Sequence, residues 1–320
     1  MRGIALPYFK KYSQGIWPWS GSARLAHGCR HKYLRLGPVT LGSEAGLISK
    51  SRLTAFAAVL LVGVVSVVAA GCGSSSDDTG STGASGGGEV LTVGSDIPYP
   101  PFEQGKSGSY TGFDIDLMEA IAGKIGRTAE FQDTSFETIF RDVAQGKFDA
   151  VISAATITPE REKAVAFSNP YYLSEQAVLV KEGSDIKSLE DLSGTTVGVQ
   201  QGTTGQELAK EEADASEVRP YPEGPDAVNA LKAGTVEAVI IDAPVAANAV
   251  EKSGGIEIAE KVPTEEEYGI ALAQDETELL DEINQGLKEV QEDGTYTKIY
   301  EKWFKLEPPK AIFSASEAAE

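Results

Sequence analysis

The regular part of the chain begins with Val90-Leu91-Thr92-Val93-Gly94, a short apolar run that predicts a strand. After a proline-rich loop, Ile115, Met118, Ile121, Ala122 and Ile125 recur at helical spacing, with Asp114 and Asp116 in the first turn, where acids complement the helix dipole. Phe136, Ile139, Phe140, Val143 and Ala144 predict a second amphipathic helix stopped at Gly146, and a strand from Phe148 to Ser153 follows. The same wiring returns later. A strand at Thr195–Val199 leads through the loop Gln200–Gly205 to a helix with Leu208 and Ala209. A helix over Ala227–Lys232 then runs into Ala233–Asp242, which echoes Gln145–Ser153. Between the halves lies a strand over Glu175–Glu182, and the chain returns through Tyr268–Leu272 to helices at Thr277–Glu292 and Tyr296–Phe304. The pattern predicts an α/β protein of two similar lobes joined by a two-strand hinge, with a ligand cleft between them.

Ahead of this body, residues 1–46 show no clear period and form either an extension or a stretch before the true start. Segment 47–71 carries Lys50 and Arg52 before an uncharged run, Leu53–Ala70, long enough for a signal-peptide core or a short membrane span. Its ending, Val67-Val68-Ala69-Ala70-Gly71-Cys72, resembles the lipobox of bacterial lipoproteins. Ala69 stands there where Leu or Val is usual. That likeness implies a lipid on Cys72 and an extracytoplasmic body anchored to the membrane; an uncleaved anchor helix is the alternative. Residues 72–88, rich in Gly and Ser, read as a flexible linker. The expected divisions are then 89–178 for the first part of lobe 1, 179–267 for lobe 2, 268–306 for the rest of lobe 1, and 307–320 for a frayed tail with Pro308 and Pro309.

Charge narrows the function. The first 71 residues hold nine Lys and Arg against Glu44 alone, which leaves 19 basic and 47 acidic residues, a net of −28, from position 72 onward. Such a surface repels nucleic acid, so no nucleic-acid partner is expected. His27, His31 and Cys29 lie in the early segment and Cys72 at its end, so the body has no histidine chemistry, no disulfide and no expected metal or cofactor.

The candidate site is the stretch Asp149–Arg161. Small residues at Ser153, Ala154 and Ala155 let a ligand approach the backbone, Thr156 offers a hydroxyl, and Arg161 offers a planar fork of donors suited to a carboxylate. Ligands of open α/β sheets bind at the carboxyl ends of strands, where Asp242 also falls. Arg161 as a surface ion-pair partner, Asp242 as a helix cap, and Tyr99 and Phe136 as packing residues are the plainer alternatives. The Glu265-Glu266-Glu267 run reads as solvated surface.

GFDIDL, DAVISAATITPER, FSNPYY, VGVQQGTTG and the Asp of VIID, in this order between about Leu91 and Leu306, resemble the extracytoplasmic solute-binding proteins of ABC importers for polar amino acids. The resemblance implies a periplasmic binding protein type 2-like fold and, residue by residue, a site. Arg161 would clamp the ligand α-carboxylate with the backbone N–H groups of Thr204 and Thr156. Asp242 would receive the α-ammonium with the Ala154 carbonyl and the Thr156 hydroxyl. Tyr99 and Phe136 would sandwich the side chain, and Asp96 and Asp114 would face its tip. Gln200 stands where a glutamine-binding relative carries Lys. Two acids near the tip favour Lys, Arg, ornithine or His as the ligand, with Gln second. The implied partners are that free amino acid and an ABC permease, for a monomeric, non-enzymatic receptor. A cyclohexadienyl-type dehydratase of the same fold and a sensor module are the rival readings.

Overall fold

The computed structural model describes residues 88–318. The expected extension, the apolar run with Cys72 and the linker up to residue 87 lie outside the described residues. No helix among the described residues is long and apolar enough to cross a membrane.

β1 (Glu89–Ser95) leads through the hairpin β2 (Gln104–Lys106) and β3 (Ser109–Thr111) to α1 (Phe113–Lys124) and β4 (Arg127–Asp133). β1 and β4 pair in parallel from Glu89 opposite Arg127 to Ser95 opposite Asp133. The helix predicted around Phe136 begins only at α2 (Ile139–Ala144), because the Phe136 N–H donates to Asp96 at 3.1 Å and stays in the loop. The strand predicted from Phe148 to Ser153 is reduced to β5 (Ala150–Val151). Ala154 turns away at φ 45, a left-handed conformation unusual for alanine, and takes the platform out of the sheet.

After β6 (Ala166–Phe167), the chain crosses into the second sheet as β7 (Tyr172–Lys181). The crossing therefore lies at Ser168–Tyr172, ahead of the expected strand start at Glu175. β8 (Thr196–Gln200), α3 (Thr204–Glu211), β9 (Glu217–Tyr221), α4 (Gly224–Ala233), β10 (Ala238–Asp242), α5 (Ala243–Ser253) and β11 (Ile256–Tyr268) follow. β12 (Ala271–Leu272) returns to the first sheet, and α6 (Thr277–Glu292) and α7 (Thr295–Phe304) pack on α1. The sheets run β4-β1-β5-β12-β6 and β11-β7-β10-β8-β9. α4 shows how locally these elements are specified. Pro225 stands in its first turn, and Gly234 closes it in the left-handed conformation at φ 78.

The two crossings form one ribbon. Ser168 N–H donates to Ile270 O and Tyr171 N–H to Tyr268 O, each at 2.8 Å, so the hinge strands are bonded to each other between the lobes. Phe102, Phe113, Tyr172, Tyr268, Tyr300 and Phe304 pack around that ribbon with ring centroids 4.7–6.1 Å apart. Such pairs add to the burial of the rings themselves. Tyr296, also buried, donates its hydroxyl to the Tyr171 carbonyl at 2.7 Å and so ties α7 to the hinge.

The tail is not frayed as its prolines suggested. They act as a stop, and α8 (Lys310–Ala318) follows them, placing Ile312 in the core with no exposed surface. Replacing Ile312 with Ala deletes buried methylene groups and leaves a void, and should lower the unfolding free energy by about 2 to 5 kcal/mol. Urea denaturation of the two proteins at one pH measures the difference.

Candidate functional site

The cavity between the sheets is lined by Asp96, Tyr99, Phe136, Ser153, Ala154, Thr156, Arg161, Gln200, Thr203, Thr204 and Asp242. Nine of the ten side chains and backbone groups expected from the sequence thus share one wall or the other. Asp114 alone stands behind the lining. Its carboxyl accepts from the Ala154 N–H and the Tyr171 hydroxyl, each at 2.8 Å, and so supports the platform from beneath. At about 10 Å³ the cavity has the room of roughly one water. The lobes as they stand here therefore leave no room for an organic guest, which enters with them parted.

β1, the loop after it and the platform after β5 deliver Asp96, Tyr99 and Arg161 from one lobe; β8, α3 and β10 deliver Gln200, Thr203, Thr204 and Asp242 from the other. Polar bonds cross between them at the cavity. Tyr99 donates its hydroxyl to Asp242 at 2.5 Å, Gln200 Nε2 donates to Asp96 at 2.6 Å, and Arg161 Nη2 donates to the Gly202 carbonyl at 3.1 Å. The lobes also meet closely at Gly224, where a Cβ would lie 2.7 Å from the Tyr99 ring. α3 begins at the cavity wall, where Thr203 Oγ1 caps it by accepting the Gln206 N–H at 3.2 Å and the helix end carries partial positive charge.

Arg161 is positioned by its neighbours. Its guanidinium donates to the Thr156 carbonyl at 2.7 Å and lies over the rings of Phe136 and Phe140 at 5.2 and 4.6 Å. Phe136 thus supports the guanidinium while lining the cavity. Asp242 occupies the N-cap position of α5, yet its carboxyl makes no cap bond there and accepts instead from Tyr99 and from Gln176 Nε2 at 2.6 Å. The plainer reading of Asp242 as a helix cap fails for this reason.

The sequence reading missed three buried groups. Gln176 donates to both Asp242 and Glu266, at 2.6 and 2.9 Å. Glu103 accepts from Ser153, whose oxygen in turn accepts from the Asp96 N–H. Glu266, read as solvated surface, is 6% exposed and accepts from Thr156 Oγ1 at 2.7 Å. Its signal was available: in a strand, the middle of three consecutive residues faces opposite to its neighbours, and Glu265 and Glu267 take the solvent side.

Five carboxyl groups therefore lie buried at the wall that carries Arg161: Asp96 and Asp242 line it, and Glu103, Asp114 and Glu266 bond to its lining residues from behind. Burial pushes Asp96 up to about 7, with Glu223 nearby adding to the rise. Burial likewise raises Asp242 to about 7, reinforced by Glu266, and Asp114 to about 7, while Glu103 is pushed well above the carboxylate range. Burial also lowers Arg161 from its ordinary value. Each charged form lacks the hydration it would have in water.

The sequence profile of the bacterial extracellular solute-binding proteins, family 3, matches residues 91–306, which span both sheets and the hinge. The chain is 34% identical over 253 residues to the arginine-binding extracellular protein ArtP of Bacillus subtilis (strain 168), covering 77% of this chain and 96% of that protein. It is 33% identical over 219 residues to the L-cystine-binding protein TcyJ of Escherichia coli (strain K12), covering 67% and 82%. An ancestral arginine-binding protein bound to arginine superposes with a TM-score of 0.64 at 44% identity, covering 67% of this chain and 98% of the other. With the family's sequence pattern running through both lobes and the hinge, this chain belongs to the bacterial extracellular solute-binding proteins of family 3.

Proposed function

We propose that this protein captures a free basic amino acid in its cleft and delivers it to the permease of an ABC importer, held outside the membrane by a lipid on Cys72. The observation that carries the reading is the excess of buried carboxyl groups over guanidinium around the cavity. Arg161 holds the α-carboxylate of the guest. Asp242, the Ala154 carbonyl and the Thr156 hydroxyl hold its α-ammonium, and Asp96 receives the side-chain cation between Tyr99 and Phe136. Asp96, Asp242 and Arg161, the charges on the cavity wall, then each meet an opposite one, without which their desolvation would be very costly. Because Arg161 and Asp242 sit on different lobes, a zwitterion is satisfied only when the cleft is shut, and occupancy is coupled to closure. The binding-protein names of the relatives support capture over dehydratase chemistry. Glutamine is the second candidate, since the Gln200 amide already donates to Asp96 and a ligand carboxamide fits the same acceptor. The ending at Cys72 supports the lipid anchor, and the family supports an extracytoplasmic location.

A thermal-shift panel of the twenty amino acids and ornithine should give its largest shift with Arg, Lys, ornithine or His. Arg161→Ala should weaken that ligand by on the order of 2 to 5 kcal/mol, roughly 30-fold or more, by isothermal titration calorimetry. Unchanged affinity would remove the carboxylate clamp.

The raised carboxyl groups give opposite pH trends for the ligand-free protein and for binding. Asp96, Asp114 and Asp242 keep their protons up to about 7 when folded but only to about 3.8 when unfolded. Across that window the folded state binds more protons, so ligand-free stability should fall as pH rises from about 4 to about 7. Affinity for arginine should rise over the same interval, as Asp96 and Asp242 ionise. Thermal melts and titrations at matched ionic strength test both signs.

A further inference from the structure

Glu266 is absent from the set of residues that the family resemblance supplies, yet four donors converge on it. Its Oε2 accepts from Thr156 Oγ1 at 2.7 Å and from Thr204 Oγ1 at 3.2 Å, while Oε1 accepts from Gln176 Nε2 at 2.9 Å and from Thr264 Oγ1 at 3.2 Å. Four donors on two oxygens match the acceptor capacity of a carboxylate. The placement is as informative as the count. Glu266 stands on hinge strand β11, Thr156 on the platform of one lobe, and Thr204 at the start of α3 in the other.

A threonine hydroxyl has one proton and two lone pairs, whereas an ammonium group only donates. Free to rotate, the Thr156 hydroxyl could point its proton at the guest and repel it. Bonded to Glu266, it has spent that proton and keeps only acceptor capacity. We infer that Glu266 is a positioning residue for the α-ammonium of the ligand: it fixes the Thr156 hydroxyl as an acceptor and, through Thr204, makes that orientation depend on the opposite lobe being in place. The Gln176 amide, which donates to both Asp242 and Glu266, keeps the two carboxyl groups apart without a cation between them. Glu266 touches no ligand atom in this scheme; it acts through Thr156.

The inference rests on the proposed capture of an amino acid, and the test separates the two. Purified full-length protein and its Glu266→Gln variant are titrated calorimetrically with arginine and with δ-guanidinovalerate, which is arginine without its α-amino group. The variant should weaken arginine about tenfold or more relative to its effect on δ-guanidinovalerate. In a Thr156→Val background, the same substitution should no longer discriminate between the two ligands. Equal weakening of both ligands, unchanged arginine binding, or discrimination that persists without the Thr156 hydroxyl would each overturn the assignment. If Glu266→Gln fails to fold, as read by circular dichroism, Thr156→Val against Thr156→Ser carries the comparison. Ser, which keeps the hydroxyl, should preserve the preference for arginine that Val loses, and a Ser variant as poor as Val overturns it. If the unaltered protein binds glutamine rather than arginine, glutamine and its desamino analogue replace the pair. Binding of no amino acid at all defeats the parent reading, before any variant is compared.

Discussion

The structure is organised by a shortage of positive charge. Five carboxyl groups lie buried on or behind a wall that carries one guanidinium; neutral donors hold them, and burial raises Asp96, Glu103, Asp114 and Asp242 above their ordinary values. Tyr99 supplies a hydroxyl to Asp242, Gln176 an amide to Asp242 and Glu266, Gln200 an amide to Asp96, and Ser153 a hydroxyl to Glu103. These neutral groups bond to the acids without neutralising them, and one buried oxygen of Glu103 is left without a donor. The arrangement is poor as a source of stability, because each buried acid exchanges water for weak neutral partners.

That chemistry depends on two sheets being held at a fixed distance by something that still bends. The β7/β11 pair continues through Tyr172 and Tyr268 into the crossing segments, which are bonded to each other between the lobes. Aromatic rings from the hinge strands, α1, α7 and the proline loop surround the ribbon on its buried side. Such packing resists shear and twist while leaving the two-stranded ribbon as the thinnest part of the fold, which suits closure about a hinge. The bonds from Glu266 to Thr156 and Thr204 lie at the base of this ribbon and link the platform of one lobe to the start of α3 in the other.

Much of this was legible in the chain. Helical and strand periods around Ile115–Ile125, Ala227–Lys232, Ala233–Asp242 and Thr277–Glu292 correspond to α1, α4, β10 and α6, since each is specified by its own apolar face and its own stops. Failures came where a distant partner overrode the local pattern. Phe136 left its helix for a bond to Asp96, and Ala154 bent the platform out of the sheet onto Asp114. The tail formed a helix because Ile312 found a place in the core.

Periodicity, turn residues and composition by themselves determined the two-lobed α/β plan, the lack of histidine in the body, and which short stretches come together at the cavity. Those properties follow from neighbours within a few positions. The partition of the acids was decided only by the tertiary structure: Asp114 went behind the wall, Glu266 out of a surface run into the hinge, and Asp242 away from the helix it begins. The physical reason is that a carboxyl group's role is set by the donors and the burial around it, and at this site those donors come from chain segments tens to more than a hundred residues away.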